Sequence, residues 1–112
     1  TKLKDAGAEE IHIRPACPPL MFPCIYNLST RTTKELAARK AIRALEGKDI
    51  EDVTKYLNHK SEEYEDMIKW IGEDLGATSL RYQLLDDMVN AIGLPKEKLC
   101  LYCWNGEDFQ KT

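Results

Sequence analysis

The sequence has no apolar run approaching the length needed to cross a bilayer, so a membrane-spanning helix is not expected. It has little excess charge of either sign, with a formal net charge of −3. A general electrostatic grip on nucleic acid or on an anionic membrane surface is therefore not expected either. It contains no glycine-rich phosphate loop, no G-x-S-x-G and no H-E-x-x-H. These absences remove the common local signatures of nucleotide binding, serine hydrolysis and zinc hydrolysis. No catalytic and no cofactor-binding residue is assigned in the chain. No basic stretch followed by an apolar one opens it, so no secretory leader is expected and the implied compartment is the reducing cytoplasm. Internal repeats and low-complexity tracts are missing too. A length of 112 residues accommodates one small domain and is too short for two.

What the chain does have is four cysteines in two separated segments. "ACPPLMFPCIYNLSTRTTKEL", residues 16–36, holds Cys17 and Cys24 among three prolines. "KEKLCLYCWNGE", residues 96–107, holds Cys100 and Cys103. Each residue before a proline is pushed towards extended geometry, so 16–23 is expected to run as a stiff, extended segment. Met21, Phe22, Ile25 and Tyr26 are too apolar for a solvated linker.

Around these segments the pattern is mostly helical. The opening residues 1–6 read as a helix already under way, without a cap, as at a natural terminus or within a larger domain. Gly7 ends it. Ile11 and Ile13 alternate with His12 and Arg14 as in a strand, and Pro15 stops ladder pairing. Thr32 and Glu35 have the spacing of a capping box. The helix after them carries Ala38, Ala41, Ile42 and Leu45 on one face and closes at Gly47. Asp49 is expected to cap a second helix with Ile50, Val53 and Leu57 on one face. Ser61 is expected to cap a third, with Tyr64, Met67, Ile68, Ile71 and Leu75 as its stripe and Gly76 as its stop. "SLRYQL" reads as a short strand. Leu85, Met88, Val89 and Ile92 read as a helix ended by Gly93 and Pro95. The last segment reads as irregular, with a mobile tail over 108–112.

The cysteine chemistry stays open at this level. Cys100-x2-Cys103 has chelating spacing, and soft thiolates suit zinc or an iron–sulfur cluster. Burial as small hydrophobes explains four cysteines equally simply, and redox use is a further reading. His12 reads as a packed or hydrogen-bonded histidine, His59 as a cation near a helix C-terminus, and Asp86-Asp87 as a helix start. Trp70 and Trp104 read as packing residues.

Taken together, "AGAEEIHIRPACPPLMFPCIYNLSTRTTKEL", "LGATSL" and "AIGLPKEKLCLYCWNGE" resemble, in order, segments of the glutamine phosphoribosylpyrophosphate amidotransferase (amidophosphoribosyltransferase) family. The likeness runs from about Ala6 to Glu107. It implies an α/β fragment, mostly helical, from the C-terminal part of a type I phosphoribosyltransferase-like domain, with two short strands and about five helices. The family makes phosphoribosylamine from glutamine and phosphoribosyl pyrophosphate in purine synthesis. Many members hold a [4Fe–4S] cluster on four cysteines. The resemblance carries three of those ligand roles onto Cys24, Cys100 and Cys103, the fourth lying outside this chain. Cys17 stands where the family has serine. Asn27 and Ser29 replace the family's glycine and aspartate.

The glutaminase half and the acidic substrate loop have no counterpart here, so the chain alone is expected to be inactive. Its expected partners are the rest of the parent enzyme within a homo-oligomer, with no nucleic acid and no membrane. Residues 41–66 read as a helical insertion. The rival reading is a free-standing binding or regulatory module, stabilised by zinc on Cys17, Cys24, Cys100 and Cys103. A thiol redox protein using Cys100 and Cys103 is a third.

Overall fold

The longest helix in the chain is also its hub. The computed structural model describes residues 2–26, 28 and 32–107. Among these are six α-helices, two 3-10 turns and a two-stranded parallel sheet, one helix more than expected from the pattern. In chain order they are α1 (Lys2–Asp5), β1 (His12–Ile13), a 3-10 turn (Thr33–Glu35), α2 (Ala37–Glu46), α3 (Thr54–Leu57), α4 (Glu62–Leu75), β2 (Ser79–Leu80), α5 (Leu85–Ile92), a 3-10 turn (Lys96–Lys98) and α6 (Tyr102–Asn105). Asn27, Ser29 and the 108–112 tail lie outside the described residues.

α4 starts where Ser61 Oγ accepts the Tyr64 N–H at 3.1 Å, satisfying one of the donors a helix start leaves unpaired. It ends at Gly76, whose φ of 69° suits glycine best. Its inner face buries Tyr64, Met67, Ile68 and Ile71. Against that face pack α2, α3 and β2. The main core adds Met21, Ala38, Ala41, Ile42, Val53, Tyr56 and Leu80. Fully burying a side chain such as Met67 or Ile71 is worth roughly 1.5–3 kcal/mol, so this one face supplies much of what holds the helices together.

β1 and β2 pair in parallel, His12 opposite Ser79 and Ile13 opposite Leu80. Parallel strands need a long crossover, and α2, α3 and α4 lie within it. The Ile11 carbonyl accepts from Thr78 N at 2.7 Å, and Ile13 O accepts from Arg81 N at 3.2 Å. The second strand is shorter than "SLRYQL" suggests. Past Pro15 the first segment no longer runs as a strand alongside it, and the Gln83 N–H instead meets the Cys17 carbonyl at 3.3 Å. Tyr82 and Leu84 therefore leave the sheet and turn towards the proline loop.

Several local expectations are corrected. Thr32 makes no side-chain cap; its carbonyl closes a 3-10 turn, and α2 begins after the buried, extended Leu36. The turn's own backbone bonds do the work a capping box would have done. Asp49 does not cap α3. Asp52 does the local work instead, accepting the Thr54 N–H at 3.0 Å, and α3 spans only four residues. Leu45, Leu75 and Ile92, placed inward by the helical stripe, are 42%, 45% and 50% exposed. Each sits in the last turn of its helix, where the neighbouring elements no longer cover the stripe. The final segment is not irregular, because Cys103 lies within α6.

A smaller apolar cluster of Met88, Val89 and Leu101, joined by Cys17, Leu85, Leu99 and Trp104, ties α5 to the final segment. No helix among the described residues is long and apolar enough to cross a membrane.

Candidate functional site: a thiol cluster where the proline loop meets the last helix

The proline loop docks onto α6 through backbone and ring contacts. The Cys103 carbonyl accepts from Met21 N at 2.8 Å and from Phe22 N at 3.0 Å. The Phe22 ring lies 5.5 Å from the Tyr102 ring at a 44° tilt, with the Arg39 guanidinium 5.6 Å from the Phe22 centroid. Prolines on either side hold this stretch extended, so its N–H groups point outwards and can be captured by another segment.

That docking brings Cys24 to Cys103. Burial pushes the Cys103 thiol up from its ordinary value, the charges of Cys24 and Cys100 add to the shift, and a hydrogen bond with Cys24 adds more. Cys24 and Cys100 thus both act on Cys103, Cys24 through a hydrogen bond as well as charge. Cys24 and Cys103 are half-buried and Cys100 is exposed. Cys17 is not among the groups acting on Cys103; it packs against Met88, Val89 and Leu101 and raises the Tyr82 pKa alongside burial. None of the four is in a disulfide.

Thiols are soft donors of the kind that suit a soft metal or a cluster, and two of them, Cys24 and Cys103, meet here. Their placement is not a finished ligand set. Among the described residues no group of three His, Cys, Asp or Glu side chains is arranged to hold a metal ion. Burial opposes the thiolate that a metal needs, and the charge of a bound cation reverses that balance.

The other residues singled out in the sequence lie elsewhere. His12 Nδ1 is 2.6 Å from Ser79 Oγ, which ties the histidine to the strand pair. Asp86 and Asp87 sit in the first turn of α5, with Asp86 3.5 Å from Lys96. His59, Asp86, Asp87, Lys96, Tyr64 and Trp104 line an open cleft of about 420 Å³. Two features had no readable signal. Arg39 is buried beside the apolar face of α2, its Nη2 donating to Ile50 O at 3.1 Å and its pKa lowered by desolvation. The Trp104 Nε1 is buried and meets no acceptor among the described residues.

Comparison with known proteins decides the relationship. Over 105 residues, 94% of its length, the chain is 31% identical to the amidophosphoribosyltransferase of Methanothermobacter thermautotrophicus. It is 32% identical to that of Methanocaldococcus jannaschii and 31% to that of Mycobacterium tuberculosis, over the same length. The chain is a homologue of one segment of amidophosphoribosyltransferase. It spans 17% of the first two amidophosphoribosyltransferases and 16% of the third. No protein-family model matches it, and no solved structure matches it at a significant level.

Proposed function

We propose that this chain serves as part of an amidophosphoribosyltransferase of purine synthesis, which transfers glutamine-derived ammonia to phosphoribosyl pyrophosphate. The observation that carries this is the continuous likeness to such enzymes over 94% of the chain. The chain's own share is structural, in keeping with the lack of a catalytic constellation in the sequence. Helices α2 to α4 form the main core, and the proline loop and α6 are bound together beside it.

In this reading Cys24, Cys100 and Cys103 supply thiolates to a [4Fe–4S] cluster, with the remaining ligand from elsewhere in the enzyme. Such a cluster would cross-link chain-distant segments. The contact of Cys24 with Cys103, with Cys17 packed apart in the second apolar cluster, favours this set over a zinc site on all four. The 41–66 segment is an added helical element within the domain. It is integral to the core, because Ile42, Val53, Tyr56 and Tyr64 are buried there.

The test is immunopurification from the source with an antibody raised against this chain. A protein several times larger than 12.8 kDa, containing iron and acid-labile sulfide and forming pyrophosphate from glutamine and phosphoribosyl pyrophosphate, is expected. A 12.8 kDa protein without that activity overturns the reading.

A further inference from the structure

We propose that Cys24 and Cys103, when no metal holds them, form a reversible disulfide that locks the proline loop onto α6. One contact joins these two side chains, and two more hold their segments together. Their side chains are hydrogen-bonded to each other. The backbone beside Cys24 is clamped to the backbone of Cys103 by the Met21 and Phe22 N–H groups. The Phe22 and Tyr102 rings, from the segments that carry Cys24 and Cys103, pack on each other. Cys100, by contrast, acts on Cys103 through charge alone. Cys17 is held against the second apolar cluster.

The oxidant is a peroxide. One sulfur attacks the O–O bond of hydrogen peroxide, which breaks and releases water, and a sulfenic acid forms. The second sulfur attacks that sulfenic sulfur, the S–O bond breaks, a second water leaves and the S–S bond forms. Two thiols and one peroxide give one disulfide and two waters. A dithiol reductant reverses it by exchange. The pairing closes a loop through most of the chain, so the oxidised form keeps the two segments together when other contacts open. The inference does not require the cluster. Where a cluster is bound, it occupies the same two sulfurs and excludes the disulfide.

The experiment is peptide mass mapping, without reductant, of the native protein stripped of metal with a chelator and treated with hydrogen peroxide. A peptide containing Cys24 linked to one containing Cys103 is expected, lost on adding dithiothreitol, with Cys17 unlinked. A Cys100–Cys103 link, or no link to Cys24, overturns the proposal. Cys100→Ser leaves the predicted pair in place, so the Cys24–Cys103 link must persist in that variant. Iron in the untreated protein with no such link sinks the disulfide alone. The link in a protein that never carries iron sinks the cluster reading alone.

Discussion

Phe22 lies so close over Gly106 that a Cβ on the glycine would sit 2.9 Å from the ring's Cε2. Gly106 also has φ of 79°, a left-handed conformation that costs other residues energy. Gly106→Ala is expected to destabilise the fold by about 2–3 kcal/mol, combining backbone strain with overpacking against a ring held by Tyr102. Gly93→Ala is the control. Its φ of 82° is alike, but nothing lies within 4 Å, so only about 1 kcal/mol is expected. Urea unfolding of both variants reads the difference. Equal losses would mean that the ring simply moves aside.

Ser61 caps α4 through its side chain. Ser61→Ala removes the acceptor for Tyr64 N and a hydroxyl that lies 2.7 Å from Lys55 O and 2.8 Å from Asn58 O. A loss of about 1 kcal/mol is expected, because α4 then starts with one more unpaired donor. Thr32→Ala, at the other cap-like motif, is expected to change stability by less than about 0.5 kcal/mol, since its side chain caps nothing. A larger loss for Thr32→Ala than for Ser61→Ala would contradict this assignment.

Both motifs have the spacing of a start signal, and this shows where sequence reading holds and where it stops. A Ser or Thr followed by a helical stripe fixes the helix, but tertiary contacts decide where the helix begins. Leu36 is drawn into the core in extended form, and α2 has to start after it. The inner stripe of α4 was readable because Tyr64, Met67, Ile68 and Ile71 repeat with the helical period. The exposure of Leu45, Leu75 and Ile92 was not, because it depends on which neighbour covers each last turn. The grouping of Cys24 with Cys103 was foreseeable by resemblance alone. Spacing along the chain says nothing of the Met21 and Phe22 hydrogen bonds that create it.

Met67 and Leu45 test that boundary directly. Met67 is 0% exposed and Leu45 is 42% exposed, although both lie on apolar stripes. Met67→Ala is expected to cost about 2–5 kcal/mol through lost burial and the cavity left behind. Leu45→Ala is expected to cost less than about 0.5 kcal/mol. Comparable losses in thermal unfolding would mean that a further surface covers Leu45.

Glu46 gives the link between α2 and α3 a pH dependence. Its carboxyl is held below its ordinary value, first by a hydrogen bond from Lys55 and then by one from the Tyr56 hydroxyl at 2.7 Å. A lowered folded-state value stabilises the fold above the ordinary carboxylate range. That contribution is lost as pH falls through the folded value. Tyr56 shifts the other way, raised chiefly by burial, so it keeps its proton through neutral pH. The wild type should therefore lose more stability between about pH 6 and pH 3 than Glu46→Gln does, the other carboxylates cancelling in the comparison. Parallel losses in denaturant titrations at the two pH values would show that the contact is not maintained in solution.

Cys100 separates metal chemistry from packing. It is exposed, so Cys100→Ser removes a sulfur without opening a cavity, and folding stability should hold within about 0.5 kcal/mol. If Cys24, Cys100 and Cys103 hold a cluster in the native protein, the same substitution should release most of its iron and acid-labile sulfide. Cys17→Ser should behave in the opposite way. It places a hydroxyl against Met88, Val89 and Leu101, costing about 1–2 kcal/mol, yet leaves the iron content unchanged. Measuring iron and unfolding midpoints on both variants puts the two effects on separate axes. Loss of iron in Cys17→Ser at unchanged stability would transfer the ligand role to Cys17 and return the site to a four-thiol zinc-like set. Retention of iron in Cys100→Ser would remove Cys100 from the ligand set, whatever the stability shows.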